Sequence, residues 1–196
     1  MSLWKAIVGK TEVAPLYRSP RIDSSTNSFQ FVDYAHHEIH EGDAFMHSHR
    51  SASATSINVY LKTPDTDEHL HMIVIANVAG QYTLEVLEAP TVTSPSGTSS
   101  TPYNRNRNSA TTPTSIDNAA SPAAGKVSVD VTGISGGTTI FIGEFGTGSK
   151  SGGEVRSDAE IILKKNTAYV FRTTTAPAAS SSIILSWYQH TAEIGD

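Results

Sequence analysis

From Phe31 onward the sequence breaks into short apolar runs separated by turn residues, and no stretch sustains an apolar period of 3.6. That pattern constrains the fold more than any other feature of the chain. In "TSINVYLKT", Ile57, Val59 and Leu61 alternate with Ser56, Asn58 and Tyr60, which makes one face of a strand apolar and the other polar. "QYTLEVLEAP" alternates in the same way through Tyr82, Leu84 and Val86, with Glu88 next in phase. "HLHMIVIANV" is almost continuously apolar and reads as a central strand. "KVSVDVTGI", "GTTIFIGEFG", "EIILKK", "TAYVFRTTT" and "SIILSWYQHT" supply further strands. "YAHHEIH" and "DAFMHSH" read as two strands flanking a tight turn at Glu41-Gly42-Asp43, and Lys164-Lys165-Asn166 sits where another hairpin turn belongs. Roughly nine or ten strands at this spacing predict an all-β chain, an antiparallel β-sandwich of jelly-roll type. The expected core is Ile57, Val59, Leu61, Ile73, Ile75, Leu84, Val86, Ile140, Ile142, Ile162, Tyr169, Phe171, Ile184 and Trp187.

Two segments fall outside the strand pattern. Residues 1–30 carry prolines and a polar run without period, and read as an extended N-terminal arm whose apolar start (Leu3, Trp4, Ile7, Val8) can dock on a partner. Residues 31–196 then form the β-sandwich domain, interrupted by a polar loop at about 91–126 rich in Ser, Thr, Pro, Asn and Gly. A loop of that length is functional, disordered or ordered by a partner. With 196 residues the chain can build one sizeable core.

Composition removes several function classes. A formal net charge of −5 gives no basic surplus for nucleic acid. The absence of cysteine excludes disulfides, thiolate chemistry and cysteine-type zinc sites. The N-terminal apolar patch is broken by Lys5 and is too short for a signal peptide, so export by the standard route is not expected. No apolar run reaches the roughly 20 residues that a bilayer demands, so no membrane partner is expected.

Five of the eight histidines lie between Phe31 and Arg50. On a strand, His47 and His49 share a face, as do His69 and His71. Two such pairs on neighbouring strands are a possible set for a divalent metal. The carboxylate that follows a cupin's His-x-His pair is absent after "MHSH", so the alternative is that these rings pack and hydrogen-bond near a subunit contact and that no cofactor is used. Serines lack a nucleophile signature, and Glu85, Glu88, Glu144 and Glu160 read as solvent-facing strand residues. No catalytic residue is assigned and an enzyme is not expected. Arg105 and Arg107, with Tyr103, lie in the asparagine-rich stretch "YNRNRNS", which can clamp a carboxylate, a phosphate or a backbone across a subunit contact. His37 and His40 join Trp4, Tyr103, Arg105 and Arg107 as candidate interface residues. Trp187 and Tyr188 should face opposite ways on the last strand, one in the core and one able to stack on a sugar or fill a partner's pocket.

Taken together, Tyr34 to Gly42, Asn104 to Ser109, Leu163 to Tyr169 and Trp187 to Thr191 resemble the motifs of a family of small virion proteins of tailed bacteriophages. The resemblance runs from about Phe31 onward. It implies a β-sandwich that assembles as a homo-trimer in the host cytoplasm and sits on the virion against the major capsid protein or other virion subunits. The implied role is capsid decoration or cementing. A tail fibre, tip or adaptor subunit and a carbohydrate-binding adhesin are the alternatives. The family assigns a function to no side chain.

Overall fold

A computed structural model describes residues 21–22, 29–30, 34–53, 55–94, 96–117, 126–145, 160–174 and 180–191. The chain divides into two compact units, Met1–Asp33 and Tyr34–Asp196. In the first, β1 (Arg21–Ile22) pairs antiparallel with β2 (Phe29–Gln30). Trp4 and the rest of the expected docking patch lie outside the described residues.

The second unit is mostly β. Among its described residues one helix, α1 (Tyr34–Glu41), precedes β3 (Ala44–Ser51), β4 (Asn58–Lys62), β5 (Glu68–Val78), β6 (Tyr82–Glu88), β7 (Thr98–Ser100), β8 (Tyr103–Asn104), β9 (Val127–Val129), β10 (Thr138–Phe145), β11 (Ile161–Leu163), β12 (Ala168–Thr173) and β13 (Ser181–Thr191). The strands form two antiparallel sheets, a five-stranded one ordered β11-β5-β13-β3-β8 and a six-stranded one ordered β10-β6-β12-β4-β9-β7. The sheets pack face to face. Phe45, Leu70, Met72, Leu185 and Trp187 of the five-stranded sheet share one cluster with Val59, Leu61, Val86, Tyr169 and Phe171 of the six-stranded sheet. Each such burial contributes roughly 1.5–3 kcal/mol. On the far side of the six-stranded sheet, Tyr60, Leu87 and Val170 pack under Val131, Val92 and Ile134.

Four sequence expectations are corrected. The first concerns which face is inside. Ile57, Val59, Leu61, Leu84, Val86, Tyr169, Phe171 and Trp187 are buried. Ile73, Ile75 and Ile184 are only half-buried on the outer face, while Met72, Ala76, Ile183 and Leu185 turn inward. Ile140, Ile142 and Ile162 are 39%, 62% and 55% exposed. Their strands are apolar on both faces, so alternation does not say which half is the core; pairing register does.

The second concerns "YAHHEIH", which is the helix α1 and not a strand. Eight residues make barely two turns, too few for a periodic signal and too few to be stable alone. Gly42 does adopt positive φ (91°), but it stops this helix: the N–H groups of Gly42 and Asp43 both donate to the Glu38 carbonyl, at 3.1 and 2.9 Å. A Cβ at Gly42 would lie 2.6 Å from Ser109 Oγ, so glycine is required twice over.

The third concerns the segment at 91–126. It contains β7 and β8, and Ile116 within it is fully buried. Residues 118–125 lie outside the described residues. The fourth is the turn at Lys164-Lys165-Asn166. Asn166 takes positive φ (50°), but the flanking strands β11 and β12 belong to different sheets, so the turn crosses the sandwich instead of closing a hairpin.

The face assignment makes neighbouring substitutions on β13 differ. Leu185→Ala should destabilise by about 2–5 kcal/mol and Ile184→Ala by about 1 kcal/mol, measured as urea midpoints at constant slope. Equal losses would mean that β13 is assigned to the wrong face.

Candidate functional site

The two His-x-His pairs do not meet. β13 separates β3 from β5, and the pairs occupy opposite faces of the sheet. His47 and His49 alternate with exposed Met46, Ser48 and Arg50 and face the interior. His47 is 3% exposed and its Nε2 has no hydrogen-bond partner. Burial first, and the neighbouring His49 second, push its pKa down to about 4, so it is a neutral ring. His49 Nε2 lies 2.9 Å from Asp130 Oδ2 but off the hydrogen-bond direction. Asp130 sits at positive φ (54°) just past β9, and its N–H donates to the Asn58 carbonyl at 3.0 Å. That backbone bond holds a strained residue with its carboxylate against His49.

His69 and His71 alternate with buried Leu70 and Met72 and point outward. The β5–β13 register sets His69 opposite His190 and His71 opposite Tyr188. His71 Nε2 and His190 Nε2 are 2.9 Å apart on the diagonal. His71 Nδ1 lies 2.6 Å from Glu160 Oε1, and Tyr188 donates its hydroxyl proton to the same oxygen at 2.9 Å. The Tyr188 ring stacks on His71 with centroids 4.5 Å apart. His190 Nδ1 is 3.0 Å from the Thr191 carbonyl oxygen. One ring nitrogen from each of His69, His71 and His190 lies within 4.8 Å of the other two. Sequence reading found His69 and His71 but missed His190 and Glu160. Period 2 places His190 outward with Tyr188, yet nothing in the sequence says that β13 pairs with β5 in this register.

The other candidate residues are placed as follows. Tyr103 is 60% exposed, and the Arg107 guanidinium lies 5.3 Å from its ring centroid. Arg107 Nη1 also approaches its own chain's Asn104 carbonyl at 3.5 Å, and Arg105 is exposed. The asparagines of this stretch hold the fold. Asn104 Nδ2 donates to the Gly42 carbonyl at 2.6 Å, and Asn106 Nδ2 donates to the His40 carbonyl at 3.1 Å. Both bonds satisfy carbonyls at the C-terminal end of α1. His37 lies 3.2 Å from Glu41, and His40 lies 3.1 Å from His36, each one helical turn away.

Glu85 accepts from Arg172 Nε and Nη2, both at 2.8 Å, and Glu88 receives Lys164 at 2.6 Å and the Tyr169 hydroxyl at 3.1 Å. These two expected solvent-facing carboxylates and Glu160 are therefore tied to partners on other strands. Trp187 is 1% exposed and Tyr188 is 8% exposed under His71, so neither offers a free stacking face.

The buried neutral ring sets a pH dependence. The unfolded chain binds a proton at His47 near pH 6.5, whereas the folded chain refuses it until about 4. Stability from this residue is therefore fully present above about pH 6.5 and is lost as the pH falls towards about 4, a change on the order of 3 kcal/mol. Urea unfolding between these limits should show that slope, and His47→Gln should flatten it; an unchanged slope would show that His47 is not its source.

Compared with known proteins, the chain matches no family model, no curated protein and no solved structure.

Proposed function

We propose that this chain is a non-enzymatic structural protein of a tailed-bacteriophage particle, a capsid decoration or cement protein that works as a homo-trimer through its contact surfaces. The reading rests on the motif resemblance and on one structural observation. Large apolar side chains stand exposed along the two adjoining sheet edges: Ile140 and Ile142 on β10, and Ile162 on β11. Between these edges runs an apolar groove of about 540 Å³ lined by Val74, Tyr82, Leu84, Phe141 and Ile161, among others. Edge strands with unpaired backbone groups and exposed isoleucines are a liability for a lone subunit and a contact surface for an assembled one. The occupant proposed is a second copy of this chain.

The strand order supports the finer fold assignment that goes with this role. β3, β13, β5 and β11 run in order through one sheet, and β4, β12, β6 and β10 through the other. Successive strands β3, β4, β5 and β6 thus alternate between sheets, as do β11, β12 and β13, an order that fits the double Greek key expected of a jelly roll. Residues 1–30, which fall within the first compact unit, serve in this reading as the arm that reaches a neighbouring virion subunit.

Size-exclusion chromatography with light scattering should give a stable trimer, and the pair Ile142→Asp and Ile162→Asp should convert it to a monomer with unchanged far-UV circular dichroism. Removing residues 1–22 should leave the sandwich folded and the trimer intact while reducing incorporation into particles. A wild-type monomer that binds glycans would favour the adhesin. A particle reconstruction placing the chain on the tail would favour the fibre or adaptor reading.

A further inference from the structure

We propose that His69, His71 and His190 bind one divalent transition-metal ion of the zinc class on the outer face of the five-stranded sheet. The hydrogen bonds around two of the rings fix where their protons sit. A carboxylate oxygen only accepts, so His71 Nδ1, at 2.6 Å from Glu160 Oε1, carries its proton towards Glu160. A backbone carbonyl only accepts, so His190 Nδ1, at 3.0 Å from the Thr191 oxygen, carries its proton too. In the neutral rings both Nε2 atoms then present lone pairs, and these face each other across 2.9 Å. Two lone pairs at that distance repel unless a cation lies between them. That cation is either a shared proton or a metal ion.

Three features favour the metal. A shared proton serves two rings, whereas a third imidazole, His69, brings its nitrogen within 4.8 Å of the other two. The Glu160–His71 contact is the carboxylate–histidine arrangement that orients a ligating ring and raises its basicity. Tyr188 reinforces it by donating to the same carboxylate oxygen while stacking on the His71 ring.

The scaffold is also suitable. His69 and His190 are direct cross-strand partners and His71 is one diagonal away, so all three rings rise from two long, paired strands. Ligand bonds of about 2.0–2.1 Å around a tetrahedral ion need nitrogens roughly 3.4 Å apart, which these rings reach by small rotations. Three nitrogens leave a fourth position for water. An all-imidazole donor set suits zinc, nickel, cobalt or copper, and not magnesium or calcium. The ion would clip β5 to β13 and, through Glu160, secure the residue that leads into β11. This proposal is independent of the virion role.

The test uses the full chain freed of metal by chelation and titrated with Zn²⁺ alone. The expected result is binding saturating at one equivalent per chain, with a rise in Tm and, on substitution with Co²⁺, the visible absorption of a tetrahedral site. The double substitution His71→Ala and His190→Ala should abolish binding while leaving the far-UV spectrum unchanged. Glu160→Gln, which keeps all three ligands, should weaken affinity about 10–100-fold. The pair His36→Ala and His40→Ala removes the other close imidazole pair and should leave the stoichiometry and the Tm rise intact. Unchanged Tm with zinc, as a shared proton would give, overturns the proposal. So does binding that survives loss of His71 and His190, or that disappears with His36 and His40.

Discussion

The pairing register of β5 with β13 is the constraint on which the rest of this structure depends. Both strands run for eleven residues, and β13 is hydrogen-bonded on both sides, to β5 and to β3. The register sets Trp187 against Met72 and Leu185 against Val74 on the inner face. The same register sets His190 against His69 and Tyr188 against His71 on the outer face. A slip of one residue would turn every side chain over, burying the imidazoles and exposing Trp187. Core and candidate metal centre are thus two faces of a single choice. Trp187 and Phe45, with ring centroids 5.8 Å apart, weight that choice with the largest apolar side chains available.

Polar side chains do much of the remaining structural work. Buried Gln189 accepts from the N–H groups of Thr114 and Ser115 and from the Ser115 hydroxyl, and it donates to the Thr114 hydroxyl. One amide thereby fastens the polar segment across the end of β13. Asn58 does the same on the six-stranded sheet, donating to the Val131 carbonyl and accepting from the Val131 N–H. Asn104 and Asn106 cap α1 from 62 and 66 residues further along the chain. Each bond contributes only about 1 kcal/mol, but leaving the buried partner unmet would cost more. Hence the stretches Tyr34 to Gly42, Asn104 to Ser109 and Trp187 to Thr191 hold amides and backbone groups in place, while the last of them also supplies Tyr188 and His190 to the outer face.

Part of the fold could be read in advance from period 2. β4 and β12 were legible because Val59, Leu61, Tyr169 and Phe171 recur two apart, although Tyr60 and Val170 between them are buried as well, under Val131 on the far side of the sheet. β5, β10, β11 and β13 misled because apolar side chains occupy both faces, inviting the choice of Ile73, Ile75, Ile140, Ile142, Ile162 and Ile184 as core. Those six isoleucines stand on outer faces, half-buried or exposed, where alternation alone does not tell them from core positions. The short helix α1 escaped notice because its stability comes from Gly42 and the asparagine caps, which lie beyond its own sequence.

The sequence alone determined the class: short alternating runs, turn residues and a cysteine-free, mildly acidic composition allow a layered β fold and little else. It also paired His69 with His71 and His47 with His49, because side chains two apart on a strand must share a face. Only tertiary structure decided which pair faces solvent and which third histidine joins it. Those outcomes depend on contacts between residues more than a hundred positions apart, such as His71 and His190, and a local period carries no information about which distant strand its own strand will pair with.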